Sequence, residues 1–131
     1  MDKLTEKTVL VVDDDPGQRG LIEAFLLGQG FRVETAKSGA EAQARLAEGR
    51  PGMLISDVRM PGMTGLELLE RVTKTHPGLP MLLVTAYPEI RDAVGAMRNG
   101  ALDYAKKLLS SVEDSLTGVL VTIQKNKKEL N

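Results

Sequence analysis

In the stretch Thr8-Val9-Leu10-Val11-Val12-Asp13-Asp14-Asp15-Pro16-Gly17-Gln18, a β-branched apolar run stops at three carboxylates and turns into a helix start. A strand that is apolar at every position has to be covered on both faces. Asp15 as cap, Pro16 at the first helical position and Gln18 at the third give the helix its N-terminus. Leu21, Ile22, Phe25 and Leu26 form its expected buried stripe, and Gly28 and Gly30 end it. A buried strand running straight into an amphipathic helix is half of a β-α-β unit.

The same pair recurs down the chain. Phe31 to Ala36 reads as a second strand, and Ser38-Gly39-Ala40-Glu41 has capping-box spacing before a helix whose thin stripe is Ala40, Ala44 and Ala47. Met53 to Asp57 is a third strand. Its loop, Val58 to Met63, contains Pro61-Gly62 and leads to a second capping box, Thr64-Gly65-Leu66-Glu67. Leu66, Leu69 and Val72 follow at helical spacing until His76-Pro77-Gly78. Met81 to Thr85 is a fourth strand, followed by a helix striped by Ile90, Ala93, Val94 and Met97 and closed by Asn99-Gly100. Leu102 to Ala105 is the weakest strand. Val112, Leu116, Val119, Leu120 and Ile123 trace a last helix. Five strands alternating with five helices predict an α/β fold, a doubly wound parallel sheet with helices on both faces. One domain over 1–131 is expected, with its core at about 8–123 and a polar extension of the last helix over 124–131.

Composition narrows the function. A net charge of -1 gives no general pull toward nucleic acid or an anionic membrane. The Lys125, Lys127 and Lys128 cluster fits a helix C-terminus better than a groove reader. With no cysteine, disulfide scaffolds and thiolate metal sites are excluded. No apolar run approaches the roughly 20 residues that span a bilayer, and the start carries no signal-peptide core. A cytoplasmic protein without membrane contact is the expectation. His76, beside Pro77-Gly78, reads as a surface histidine rather than a metal ligand.

The chemistry lies at the strand ends, because open α/β sheets gather functional groups there, near the point where strand order reverses. Those residues are Asp13 and Asp14, then Asp57, then Thr85, then a lysine just past the fifth strand. Carboxylates brought to one rim repel each other unless a cation joins them. Hard oxygen ligands suit Mg²⁺, and a carboxylate beside it is a competent nucleophile toward phosphorus. Phosphoryl transfer then needs mainly alignment and charge neutralisation, which a lysine and a threonine hydroxyl can share. Asp15 by itself is better read as a helix cap.

Four motifs, in order, carry a resemblance to the receiver domains of two-component response regulators. They are Val9 to Pro16, Ile55 to Gly65, Val84-Thr85-Ala86-Tyr87 and Gly100 to Lys107. The likeness runs from about Thr8 to Ile123. It implies a flavodoxin-like (βα)5 fold with strand order 2-1-3-4-5. It also implies a phosphoprotein rather than an enzyme, one that catalyses only its own phosphoryl transfer and dephosphorylation. Asp57 would form the aspartyl phosphate, with a sensor histidine kinase or acetyl phosphate as donor. Asp14, Asp57 and the Arg59 backbone carbonyl would ligate Mg²⁺, with Asp13 acting largely through water. Thr85 and Lys107 would hold phosphoryl oxygens, and Tyr104 would be the aromatic switch. Together they would alter the surface of the fourth helix, fifth strand and fifth helix. Arg59 and Tyr87 would flank the attacking water. The stretch Asp92 to Tyr104 is similar to receivers heading sigma-54-dependent transcription activators, so an output domain in a longer chain and a homodimer are expected.

One position departs from the family, which usually has Lys-Pro where this chain has Lys107-Leu108. The family's proline typically follows a cis peptide that orients the lysine. A non-proline cis bond costs about 2.5–4 kcal/mol, so Leu108 is expected to leave the bond trans. Lys106 competes with Lys107 for the role. Weaker or slower phosphorylation-linked switching is expected than in a Leu108→Pro variant, and equal acetyl-phosphate kinetics with equal switching in the two would count against this. Three alternatives stay open. One is a haloacid-dehalogenase-like phosphohydrolase with Asp13 as nucleophile and Asp15 as acid/base. Another is a flavodoxin-like flavin binder. The third is a degenerate receiver that docks partners without phosphorylation.

Overall fold

A computed structural model describes residues 8–106. Its elements are β1 (Thr8–Val12), α1 (Pro16–Gly28), β2 (Arg32–Ala36), α2 (Gly39–Glu48), β3 (Met53–Asp57), α3 (Gly65–Thr75), β4 (Met81–Thr85), α4 (Ile90–Arg98) and β5 (Asp103–Lys106). The strands form one parallel sheet in the order β2-β1-β3-β4-β5. The chain leaves β1 for β2 on one side and returns to β3 on the other. The order therefore reverses between β1 and β3, which opens a crevice at their carboxyl ends.

The core follows from strand pleat. Alternate residues point to opposite faces, so Val9 and Val11 pack with Ile55, Leu82 and Val84 against Ile22 and Leu26 of α1. Leu10 and Val12 join Leu54 and Leu83 on the other face, against Leu46 of α2, Leu68 and Val72 of α3, and Ala96 of α4. β3 and β4 are buried along their whole length, whereas β2 at the sheet edge alternates between exposed and covered.

Helix starts behave as their chemistry requires. Asp15 accepts from the Gly17 and Gln18 N–H groups, Ser38 accepts from Glu41, and Thr64 and Glu67 form a reciprocal capping box. Glu89, the cap of α4, makes no side-chain cap bond.

Several expected faces are corrected. On α2 the alanines at 40, 44 and 47 are exposed, and Gly39, Ala42 and Leu46 are buried instead. The leucine decides the orientation, because its apolar area far exceeds that of an alanine. The bare Cα of Gly39 lets Met63 lie against it, where a Cβ would stand 2.6 Å from the sulfur. Leu21 of α1 is exposed, and Leu68, which the stripe of α3 had omitted, is fully buried. The stripe of α4 also points outward. Ile90, Val94 and Met97 are exposed, Ile90 at 85%, while Ala96 alone in that helix is buried. Helical spacing shows that apolar residues share a face, not which neighbour covers it. β5 runs one residue later than expected. The predicted last helix, Lys107 and Leu108 lie outside the described residues.

Candidate functional site

Asp13 follows the last residue of β1, and its N–H still donates to the Ala36 carbonyl at 3.1 Å, so the sheet fixes its backbone. Its side chain is 1% exposed and accepts from the Asp15 N–H at 3.0 Å. Asp14 is exposed at the rim. Asp15, as expected, caps α1.

Asp57 ends β3, opposite Val84 of β4. The ladder continues past it, since the Val58 N–H donates to the Val84 carbonyl at 3.0 Å. The Ser56 hydroxyl donates to the Asp57 carbonyl at 2.9 Å. Thr85 ends β4, is 1% exposed, and its hydroxyl accepts from the Tyr87 N–H at 3.1 Å. Two neighbouring strands thus end in a carboxylate and a hydroxyl, with Thr85 one residue beyond the position paired with Asp57.

Carboxylate oxygens of Asp13, Asp14 and Asp57 lie within 4.8 Å of one another. They line a cleft of about 270 Å³ that Asp15, Gln18, Arg59, Thr85, Ala86 and Tyr87 complete. Three like charges this close repel by about 1 kcal/mol per pair in a water-like medium, and by more where water is excluded. Close negative charge of this kind is tolerated where a cation belongs. The donor set is all hard oxygen, with Asp13 buried, Asp57 nearly so and Asp14 open to solvent, which fits Mg²⁺ with waters completing its shell.

The response-regulator receiver domain model matches residues 9–116. This chain belongs to that family. Receiver domains are signalling modules, so membership decides against the phosphohydrolase and flavin-binder alternatives. Over 99 residues this receiver is 44% identical to the DNA-binding transcriptional regulator NtrC of Escherichia coli K12, a match covering 76% of this chain and 21% of that protein. The chain therefore spans about a fifth of that relative's length. Among solved structures it resembles a CheY-like receiver domain protein from Methanospirillum hungatei JF-1, with TM-score 0.81, 29% identity, and 93% and 97% of the two chains covered. It is also similar to the beryllofluoride-activated NtrC4 receiver domain dimer, with TM-score 0.79, 28% identity, and 91% and 98% covered.

The rest of the receiver's expected set is partly in view. Tyr104 sits in β5, half-buried against the core face that holds Leu83, and its hydroxyl accepts from the Glu89 N–H at 3.3 Å. Lys106 ends β5 in register with Thr85. Lys107, the expected phosphoryl partner, lies outside the described residues. No described helix is long and apolar enough to cross a membrane.

Two residues near the receiver's cleft went unread in the sequence. The Arg19 guanidinium donates to the Asp13 backbone carbonyl at 2.7 Å, which ties α1 to the acidic loop and sets a positive charge behind it. Gly65 begins α3 against the backbone of Asp57. Arg19 had a faint signal, being one helical turn past the capping Asp15 on the helix that leaves the carboxylates. Gly65 stood in the second capping box and at the end of the motif Ile55 to Gly65, but neither told of its contact with the Asp57 backbone.

Proposed function

We propose that this chain is a phosphoacceptor switch in a two-component phosphorelay, with Asp57 as the residue that carries the phosphoryl group. The observation that supports this most directly is the meeting of Asp13, Asp14 and Asp57 within 4.8 Å at the carboxyl ends of two adjacent strands. An Asp57 carboxylate oxygen attacks phosphorus. The bond from phosphorus to the histidine nitrogen of a sensor kinase, or to the acetate oxygen of acetyl phosphate, breaks as the new P–O bond forms. The leaving imidazole or acetate keeps the electron pair. Asp13, Asp14, Asp57 and the Arg59 backbone carbonyl are the groups that would hold Mg²⁺. When bound, the ion offsets their negative charge and that of the phosphoryl oxygens. The Thr85 hydroxyl and the ammonium of Lys107 are proposed to take the remaining phosphoryl oxygens.

The output reading rests on kinship. NtrC, by name a DNA-binding transcriptional regulator, is far longer than this chain, so we take residues 1–131 as one receiver domain that regulates a transcription factor in the cytoplasm. The switched surface is assigned to α4, β5 and the helix predicted after it, with Tyr104 as the reporter. The outward apolar stripe of α4 supports that assignment, because such surface commonly meets a partner. A homodimer is in keeping with the NtrC4 receiver dimer.

The test is to treat the protein with acetyl phosphate and Mg²⁺, reduce with borohydride and map the modified aspartate by mass spectrometry. Label on Asp57 is expected. Label on Asp13 would revive the phosphohydrolase chemistry, and no label with no Mg²⁺ binding would leave a degenerate docking module.

A further inference from the structure

Arg59 lines the acidic cleft, yet its guanidinium does not rest on the carboxylates there. It pairs with Glu89 across 30 positions of chain, joining the loop after β3 to the loop after β4. Glu89 is committed twice over. Its side chain holds Arg59, and its backbone N–H donates to the Tyr104 hydroxyl. As the cap of α4 it holds the helix through its backbone carbonyl alone, which accepts from the Ala93 N–H at 3.0 Å, and its side chain makes no cap bond. One residue therefore links the mouth of the cleft, the start of α4 and the aromatic ring of β5.

We propose that Glu89 is a positioning residue that holds Arg59 aside while Asp57 is unmodified and surrenders it when the cleft gains a phosphoryl group. The inference rests on the phosphoacceptor reading of Asp57. Both side chains are about half exposed, and an ion pair in that setting is weak and easily exchanged. Phosphorylation replaces the single charge of Asp57 with about two and adds acceptor oxygens that match the guanidinium fork. Arg59 then has a better partner within the cleft it already lines. The freed Glu89 carboxylate lies beside the first-turn N–H groups of α4, which have no intrahelical acceptors and attract negative charge. Turning there, Glu89 moves the backbone that Tyr104 is bonded to. Occupancy of the cleft and the position of Tyr104 are coupled in this way through a side chain that bonds to the Arg59 guanidinium and to none of the three aspartates.

The experiment uses the full 131-residue chain labelled with nitrogen-15, titrated with beryllofluoride in the presence of Mg²⁺ as the phosphoryl mimic. In the wild type, the Arg59 side-chain signal and the amides of Glu89, Arg91 and Asp92 are expected to move together on saturation. Glu89→Gln keeps the size and loses the charge. It should bind beryllofluoride about two- to fivefold more tightly, the range spanned by losing one exposed ion pair. Its unliganded Arg59 signal should already lie toward the saturated wild-type position. Combining Glu89→Gln with Arg59→Ala should erase the gain, because there is nothing left to release. An unchanged affinity and Arg59 signal in Glu89→Gln overturns the proposal, as does a gain that persists without Arg59, which would be a general charge effect. A wild type that binds no beryllofluoride removes the phosphoacceptor reading and this inference with it, whereas binding that ignores Glu89 removes this inference alone.

Discussion

Asp57→Asn is expected to take up no phosphate from acetyl phosphate, bind Mg²⁺ more weakly, and yet be the more stable protein in metal-free buffer. An amide nitrogen has no available lone pair with which to form a stable bond to phosphorus, so the loss of uptake should be complete. Mg²⁺ binding weakens because one of three converging carboxylates is gone. The stability gain has the opposite sign for the same reason. Removing one of three close negative charges relieves about 1 kcal/mol or more of repulsion, and Asn matches Asp in shape. Urea denaturation with and without Mg²⁺ checks it: the variant should lead in the absence of the ion, and the wild type should recover ground as Mg²⁺ is added. A variant less stable than the wild type in metal-free buffer would mean that Asp57 is held there by favourable contacts that outweigh the repulsion. Phosphate on Asp57→Asn would place the acceptor elsewhere.

The parts legible in the sequence were those encoded by neighbours along the chain. A run such as Met81 to Thr85 has no reading other than a buried strand, and Asp15, Ser38 and Thr64 each cap a helix through N–H groups two or three residues on. Asp13 and Asp57 were legible too, because the end of a buried strand is a defined place in an α/β fold. What stayed hidden depends on partners remote in sequence. Helical spacing put Ala40, Ala44 and Ala47 on one side and Ile90, Val94 and Met97 on another, but each stripe faces outward in the fold. In α2 a single leucine outweighs three methyl groups. In α4 the small Ala96 rests on the core, leaving the larger side chains on the surface. The Arg59–Glu89 pair has no local signature at all, since each residue alone reads as an ordinary surface charge.

Gly65 makes the same point where the site is built. Gly65→Ala should cost about 1–3 kcal/mol of stability, the range for overpacking a tight site, although a Gly→Ala change in a helix ordinarily gains about 0.5–1 kcal/mol. A Cβ at Gly65 would stand 2.2 Å from the Asp57 carbonyl oxygen and 3.0 Å from both the Asp57 carbonyl carbon and the Val58 Cα. All three are backbone atoms, so no side chain can rotate out of the way. The Gly65 N–H also donates to the Val58 carbonyl at 2.8 Å, which pins the helix start to the end of β3. Relief must come from moving α3 or from moving Asp57, and either one disturbs the acceptor's backbone. Misplacing a reacting group by about 1 Å can cost on the order of 10²-fold in rate, so phosphate uptake should fall well beyond what the lost stability explains at a temperature where the variant is folded. Gly20→Ala is the matched control, because it sits in α1 with nothing within 4 Å of its added carbon. It should be slightly more stable than the wild type and phosphorylate normally. If the two variants melt alike and accept phosphate alike, the contact between Gly65 and Asp57 does not shape the site. A loss confined to Gly65→Ala ties the first turn of α3 to the geometry of the phosphoacceptor.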